Sequence, residues 1–190
     1  LAALREMKES RKQRAVFVDR DGTINIDHGY VGQIDRFELI DRALEGLGLL
    51  GKNGFLLFLV TNQSGLERGL FTEAQLKEVH DHLQALLKPL GAQFTEFFVS
   101  PYKEATPNNI RKPSPKFLLN AAKKHGLDLP NSYMVGDKGD TDIQCGINAG
   151  CKTILVLTGT GKEWKNHPTI KPDFVANDLV DAAQWILSQK

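Results

Sequence analysis

Cysteine is scarce in this chain: Cys145 and Cys151 are the only two among 190 residues. They fall in a predicted helix and at the start of the next strand, without the spacing of a metal site or a disulfide framework, and read as reduced cytosolic thiols. Long apolar runs are missing as well. The longest, Phe55 to Val60, is far too short to span a bilayer, and no signal-peptide pattern precedes it, so the expected location is cytoplasmic with no membrane partner. There is no excess of charge of either sign. Twenty-four Lys and Arg against 23 Asp and Glu leave a net charge of +1, which offers no global attraction to nucleic acid. The local basic cluster Lys8, Arg11, Lys12 and Arg14 reads as a solvated helix face on a short amphipathic lead-in. No internal repeat and no low-complexity linker divides the chain. What is present, 41% hydrophobic residues over this length, suffices for one sizeable core, so the expectation is a single domain over 1–190 and a monomer.

Strand and helix patterns alternate. Strand-like runs occur at Ala15–Val18, Phe55–Val60, Phe94–Val99, Tyr133–Val135 and Thr153–Leu157, with a weaker one at Asp173–Ala176. Helix-like runs fill the gaps at Ala43–Leu50, Thr72–Leu87, Pro115–His125, Asp142–Ala149 and Asp178–Ser188. Thr72 with Gln75 has the form of a capping box, and Gly126 stops the helix that Pro115 begins. This alternation predicts an α/β fold, a three-layer sandwich with a mainly parallel sheet covered on both faces. The loop Pro101 to Pro113 is the least structured stretch. The gaps Thr23 to Thr61 and Thr61 to Lys112 are too short for a cap domain, so the cleft should be open.

The chemistry gathers where strands end, which is where open α/β sheets bind ligands. The first strand runs into Asp19-Arg20-Asp21-Gly22-Thr23. Two carboxylates at i and i+2 of an extended segment lie on one side and can converge on one cation or one phosphorus, although Asp-Gly is also an ordinary turn signal. The second strand closes with Thr61-Asn62-Gln63-Ser64-Gly65, a turn able to cradle phosphate oxygens and equally able to be a plain polar turn. Arg111-Lys112-Pro113 sets two cations before a helix, suited to an anion or to solvent. Gly136-Asp137 is followed by Lys138, Asp140 and Asp142; one position, Asp140 or Thr141, reads as a helix cap, while the acids together suit Mg²⁺.

These four parts, in this order and at strand ends, resemble the signature of the haloacid dehalogenase superfamily phosphohydrolases. Within it the chain is similar to the family of heptose bisphosphate and histidinol phosphate phosphatases. The added likeness lies in Ile24-Asn25-Ile26-Asp27-His28-Gly29-Tyr30-Val31, Ile34-Asp35-Arg36-Phe37-Glu38, Arg68-Gly69 and Met134-Val135-Gly136-Asp137-Lys138. It covers roughly Ala15 to Thr158. The resemblance implies a Rossmann-like, capless phosphatase that removes the 7-phosphate of a heptose 1,7-bisphosphate through an aspartyl-phosphate. It implies Asp19 as nucleophile and Asp21 as general acid and base. Thr61 and Lys112 would bind the phosphoryl oxygens, and Mg²⁺ would be held by Asp19, the main-chain carbonyl of Asp21, and Asp137. Substrate would be lined by Arg20, Asp27, His28, Gly29, Tyr30, Asn62, Gln63, Ser64, Arg111 and Lys138. The sequence departs from the family in two places. Residues 100–110 contain no Cys or His and cannot form the tetrahedral zinc loop common among such phosphatases. Asp140-Thr141-Asp142 through Gly159 is more like the capped phosphoglycolate phosphatases. The enzyme alternatives are a histidinol-phosphate phosphatase or another small-molecule phosphatase, and further off a polynucleotide 3′-phosphatase. A silent phosphate-binding module would have lost one of Asp19, Asp21, Lys112 or Asp137.

Overall fold

A computed structural model describes residues 12–189, so residues 1–11 of the amphipathic lead-in, with Lys8 and Arg11, lie outside the described residues. Six parallel strands, β1 (Ala15–Val18), β2 (Leu56–Asn62), β3 (Phe94–Ser100), β4 (Tyr133–Gly136), β5 (Lys152–Val156) and β6 (Phe174–Ala176), form one sheet in the order β3-β2-β1-β4-β5-β6. Strand order reverses between β1 and β4, and there the carboxyl ends of neighbouring strands open a crevice.

The strands are apolar on both sides because helices cover both. Val16 and Val18 of β1 join Leu57, Leu59, Tyr133, Val135, Ile154 and Val156 under α1 (Ala43–Lys52), α2 (Glu73–Leu87) and α6 (Leu179–Ser188). The alternate residues Ala15, Phe17, Phe58, Val60 and Met134 face α3 (Lys116–His125) and α4 (Gln144–Ala149). Phe17 and Phe58 stack across β1 and β2 with ring centroids 5.2 Å apart. Both faces of a strand being buried is what parallel pairing requires, and it explains why these strands read as near-continuous apolar runs.

Local signals act as expected at most ends. Thr72 Oγ1 accepts from the Gln75 backbone N–H at 3.2 Å while Gln75 Oε1 accepts from that of Thr72 at 2.9 Å, closing the capping box. Gly126 ends α3 in a left-handed conformation, φ +64°. Two boundaries differ from the sequence reading. β2 extends past Val60 to include Thr61 and Asn62. The helix expected from Asp142 is preceded by a widened π-type turn, Gly139–Ile143, with no side-chain cap from Asp140 or Thr141. A short α5 (Gly161–Trp164) follows β5. The segments joining β1 to β2 and β3 to β4 each carry one α-helix and short turns, so neither holds an insertion of domain size.

Candidate active site

β1 ends at Val18, and a tight turn immediately beyond Asp19 aims that residue into the crevice. Arg20 C=O accepts from the backbone N–H groups of Thr23, Ile24 and Asn25, and Gly22 N–H donates to Asn25 C=O, so the chain reverses within a few residues. Gly22 sits at φ +86°, and a side chain there would collide with the Asp137 carboxylate. Only glycine answers both demands.

Asp19, Asp137 and Asp142 bring carboxylate oxygens within 4.8 Å of one another. Asp19 follows β1 and Asp137 follows β4, while Asp142 reaches back from the π-type turn over Gly136, where any Cβ would strike it. Lys112 Nζ sits among them and donates to Asp19 Oδ1 at 2.6 Å, Asp142 Oδ1 at 2.6 Å and Val60 C=O at 2.7 Å. All three ammonium protons are thereby engaged. Asn62 delivers that lysine: its amide accepts from Lys112 N–H at 3.1 Å and donates to Lys112 C=O at 3.2 Å, clasping the β2 end to a loop 50 residues away.

The electrostatics follow from burial. Desolvation, the Asp142 charge and, more weakly, Asp137 push the Asp19 carboxyl well above its ordinary range, against the pull of Lys112. Burial and Asp142 push Asp137 up to about 6, opposed by hydrogen bonds from Thr160. Burial alone would lower Lys112, but Asp142 and Asp19 beside it overcome this and hold its pKa above the usual value. Three carboxylates gather around one buried ammonium, which pairs with Asp19 and Asp142 but not with Asp137. Asp137 Oδ2 is satisfied by Thr160 N–H at 2.8 Å, yet Asp137 Oδ1 is buried with no partner. An orphaned oxygen inside an all-oxygen acidic cluster fits a hard divalent cation.

Asp21 belongs to a different environment. Its Oδ1 accepts from Arg20 Nη2 at 2.8 Å, Arg20 Nε at 3.2 Å and Asn25 Nδ2 at 3.0 Å, and its Oδ2 accepts from Gln63 Nε2 at 2.6 Å. Gln63 also donates to Thr61 Oγ1 at 2.7 Å. Two acids two residues apart are thus held by unlike partners.

A cavity of about 240 Å³ opens over this floor. Of the substrate residues expected from the sequence, Asp27, Gly29, Tyr30, Asn62, Gln63, Ser64, Arg111 and Lys138 line it, together with Asp19, Asp21 and Lys112. Lys138 Nζ lies 3.6 Å from Asp27 across the rim. Two of the expected substrate residues lie elsewhere. Arg20 does not line the cavity, because its side chain is fully buried and turned back to Asp21. His28 points to Glu38 at 2.8 Å on the exposed side of its loop. Asp142 joins Asp19 and Asp137 in the acidic cluster, whereas the ligand expected from Asp21 is its main-chain carbonyl and not its carboxylate. Thr61 is buried beneath the cavity wall. Thr141 and Asp142 line the cavity too; Asp142 carried a signal as the last acid of its run, whereas Thr141 read only as a cap.

The HAD-hydrolase-like family model matches residues 109–182. D-glycero-β-D-manno-heptose-1,7-bisphosphate 7-phosphatase of Escherichia coli K12 is 39% identical over 183 residues, covering 93% of this chain and 95% of that protein. The chain belongs to this phosphatase family. The Haemophilus ducreyi member is 40% identical over 181 residues, with 92% and 98% covered. The fold agrees: the crystal structure of D,D-heptose 1,7-bisphosphate phosphatase from B. bronchiseptica, complexed with magnesium and phosphate, superposes with TM-score 0.84 at 30% identity, covering 94% of this chain and all of that one. Among haloacid dehalogenase-like phosphatases, then, this chain combines the six-stranded parallel sheet with a cleft that no cap covers among the described residues.

Proposed function

We propose that the protein hydrolyses the 7-phosphate of D-glycero-D-manno-heptose 1,7-bisphosphate, in the cytoplasm, by way of an aspartyl-phosphate on Asp19. The observation that carries the mechanism is the separation of Asp19 from Asp21. Carboxylates placed in contrasting environments take contrasting roles. Asp19, in contact with Lys112 and the acidic cluster, attacks phosphorus in line, and the sugar oxygen leaves with a proton from Asp21. Water, deprotonated by Asp21, then attacks the phosphoryl group on Asp19, releasing phosphate and regenerating both acids. Thr61 supports the phosphoryl oxygens through a hydroxyl whose proton has no acceptor among the described residues. Lys112 would transfer one of its donors to the same oxygens. Magnesium held by Asp19, Asp137, Asp142 and the Asp21 carbonyl would supply charge neutralisation on nucleophile and phosphoryl group. The substrate assignment rests on the family and on the Asp27–Tyr30, Arg111 and Lys138 rim. Cys145 and Cys151, buried as free thiols, suit a reducing compartment. Among the described residues no helix is long and apolar enough to cross a membrane.

Phosphate release from heptose 1,7-bisphosphate, histidinol phosphate, an aryl phosphate and a 3′-phosphorylated oligonucleotide tests the reading. The bisphosphate should have the highest kcat/KM. Faster turnover of histidinol phosphate would overturn the substrate while leaving the chemistry in place.

A further inference from the structure

Arg20 is the largest fully buried side chain in the described residues. Its guanidinium meets one carboxylate only among them, that of Asp21, and otherwise the Val31 carbonyl and, at 3.4 Å from Nη1, Nε2 of His80. Taking a charge out of water is costly unless its partners compensate, so a buried arginine ending on a single catalytic acid calls for an explanation beyond packing. His80 sits on the inner face of α2, stacked on Phe97 of β3 with centroids 4.9 Å apart and planes 15° from parallel. A guanidinium only donates, so Nε2 of His80 is the acceptor and its ring proton is assigned to Nδ1. Burial first, and then the Arg20 charge, pushes His80 down to about 3, which keeps the ring neutral and able to accept.

Within Asp21 the consequence is asymmetric. Three donors occupy Oδ1 and one occupies Oδ2, so Oδ2, on the Gln63 side, is the oxygen left to carry a proton to and from the cleft. We propose that Arg20 is a positioning residue that fixes the Asp21 carboxylate for proton transfer to the leaving group, with His80, braced by Phe97, as the back-stop that sets Arg20. This rests on the acid–base role given to Asp21 above.

The test is the ratio of kcat/KM for heptose bisphosphate to that for an activated aryl phosphate, measured on one preparation of each variant. A good leaving group departs without protonation, so only the sugar substrate needs a placed acid. A loss of folded protein cancels in the ratio. Asp21→Asn should lower the ratio by about 10²-fold or more. Arg20→Lys, which keeps the charge and loses the fork, should lower it by about tenfold. His80→Leu should lower it by about threefold to tenfold, and His80→Gln, which keeps an acceptor, should restore it. If Asp21→Asn moves the ratio and Arg20→Lys does not, the positioning role is wrong and the acid stands. If Asp21→Asn leaves the ratio unchanged, the acid role itself falls, and the proposal with it. Equal ratios for His80→Leu and His80→Gln would remove His80 from the relay.

Discussion

At the floor of the cleft Asp19, Lys112, Asp137 and Asp142 are 7%, 2%, 1% and 1% exposed, and their contacts join β1, β2, β4 and the π-type turn. At the rim, the Asp27–Tyr30 loop and residues 101–111 are largely exposed and are tied mainly by bonds within the rim itself. Asp27 Oδ1 accepts from Gly29 N–H at 3.0 Å, and Arg36 donates to the carbonyls of His28 and Tyr30. Arg111 donates to Tyr102 C=O at 2.9 Å and its own N–H is capped by Asn109 Oδ1 at 3.1 Å, while Lys103 N–H donates to Glu67 at 2.6 Å. The floor is fixed by the sheet, whereas the rim is fixed by short polar loops. Reaction chemistry common to a superfamily belongs on the part that cannot move, and choice of substrate on the part that can vary without disturbing the core. Floor substitutions should therefore lower turnover of every phosphate ester, and rim substitutions should separate one ester from another.

The largest effect tests the floor directly. Asp19→Asn keeps the shape and loses the nucleophile, so turnover should vanish on sugar and aryl phosphates alike, by about 10⁴-fold or more. The variant should remain folded, because a carboxyl already pushed upward by burial loses little on becoming neutral. Residual activity on aryl phosphate near that of the unmodified enzyme would show that a group other than Asp19 attacks phosphorus.

A second floor residue separates stability from chemistry. Lys112→Met removes the ammonium from between Asp19 and Asp142 and leaves buried carboxylates facing one another, a loss of about 3–5 kcal/mol for a broken buried pair. For a chain of this size that corresponds to a fall in Tm on the order of 10 °C, measured in chelator. Magnesium should raise the Tm of both proteins, and should restore activity to chelated unmodified enzyme only. An unchanged Tm would mean that Lys112 does not balance the cluster.

The two regions also differ in how far the sequence disclosed them. Strand ends carrying Asp19, Asp137 and the Thr61–Ser64 turn were legible, because an apolar run that stops at a carboxylate or amide has few structural uses. The six-strand parallel sheet was legible for the same periodic reason. Asp142 was legible as an acid but not as a partner of Asp19, since that depends on a π-type turn and on the open face of Gly136. Asn62 read as a substrate contact and proves to clasp the Lys112 backbone as well, a pairing across 50 residues that spacing does not reveal. Arg20 was placed at the substrate by family resemblance alone, whereas the tight turn after Asp19 lets its side chain fold back on Asp21. His80 had one signal, a polar residue on the stripe Leu76, Val79, Leu83 and Leu87, and that stripe alone names no partner.

The smallest effect sharpens the rim half of the comparison. Arg111 borders the cavity beside Lys112, half-buried, and its pKa is lowered by burial and then by the neighbouring charge of Arg68. Neither arginine forms a salt bridge among the described residues, and Arg111 feels only the more distant charge of Asp140. The cavity is open to solvent and Arg111 stands at its edge, a place where the group remote from the reacting phosphorus can be met. Binding energy gained there orients the reacting end, and removing it should cost rate only where a second anion exists. Arg111→Ala should accordingly lower kcat/KM for heptose 1,7-bisphosphate by about 1.5–3 kcal/mol, the worth of a charge-assisted contact, and leave aryl phosphate hydrolysis nearly unchanged. The cleanest measure is a paired assay of heptose 1,7-bisphosphate against the same sugar phosphorylated at the 7-position alone. If Arg111→Ala lowers both equally, the arginine serves the transferred phosphoryl group and belongs functionally to the floor. If only the bisphosphate suffers, the polar loop at 101–111 does the discriminating, with Asn109 fixing the Arg111 backbone and the Tyr102 carbonyl fixing its guanidinium.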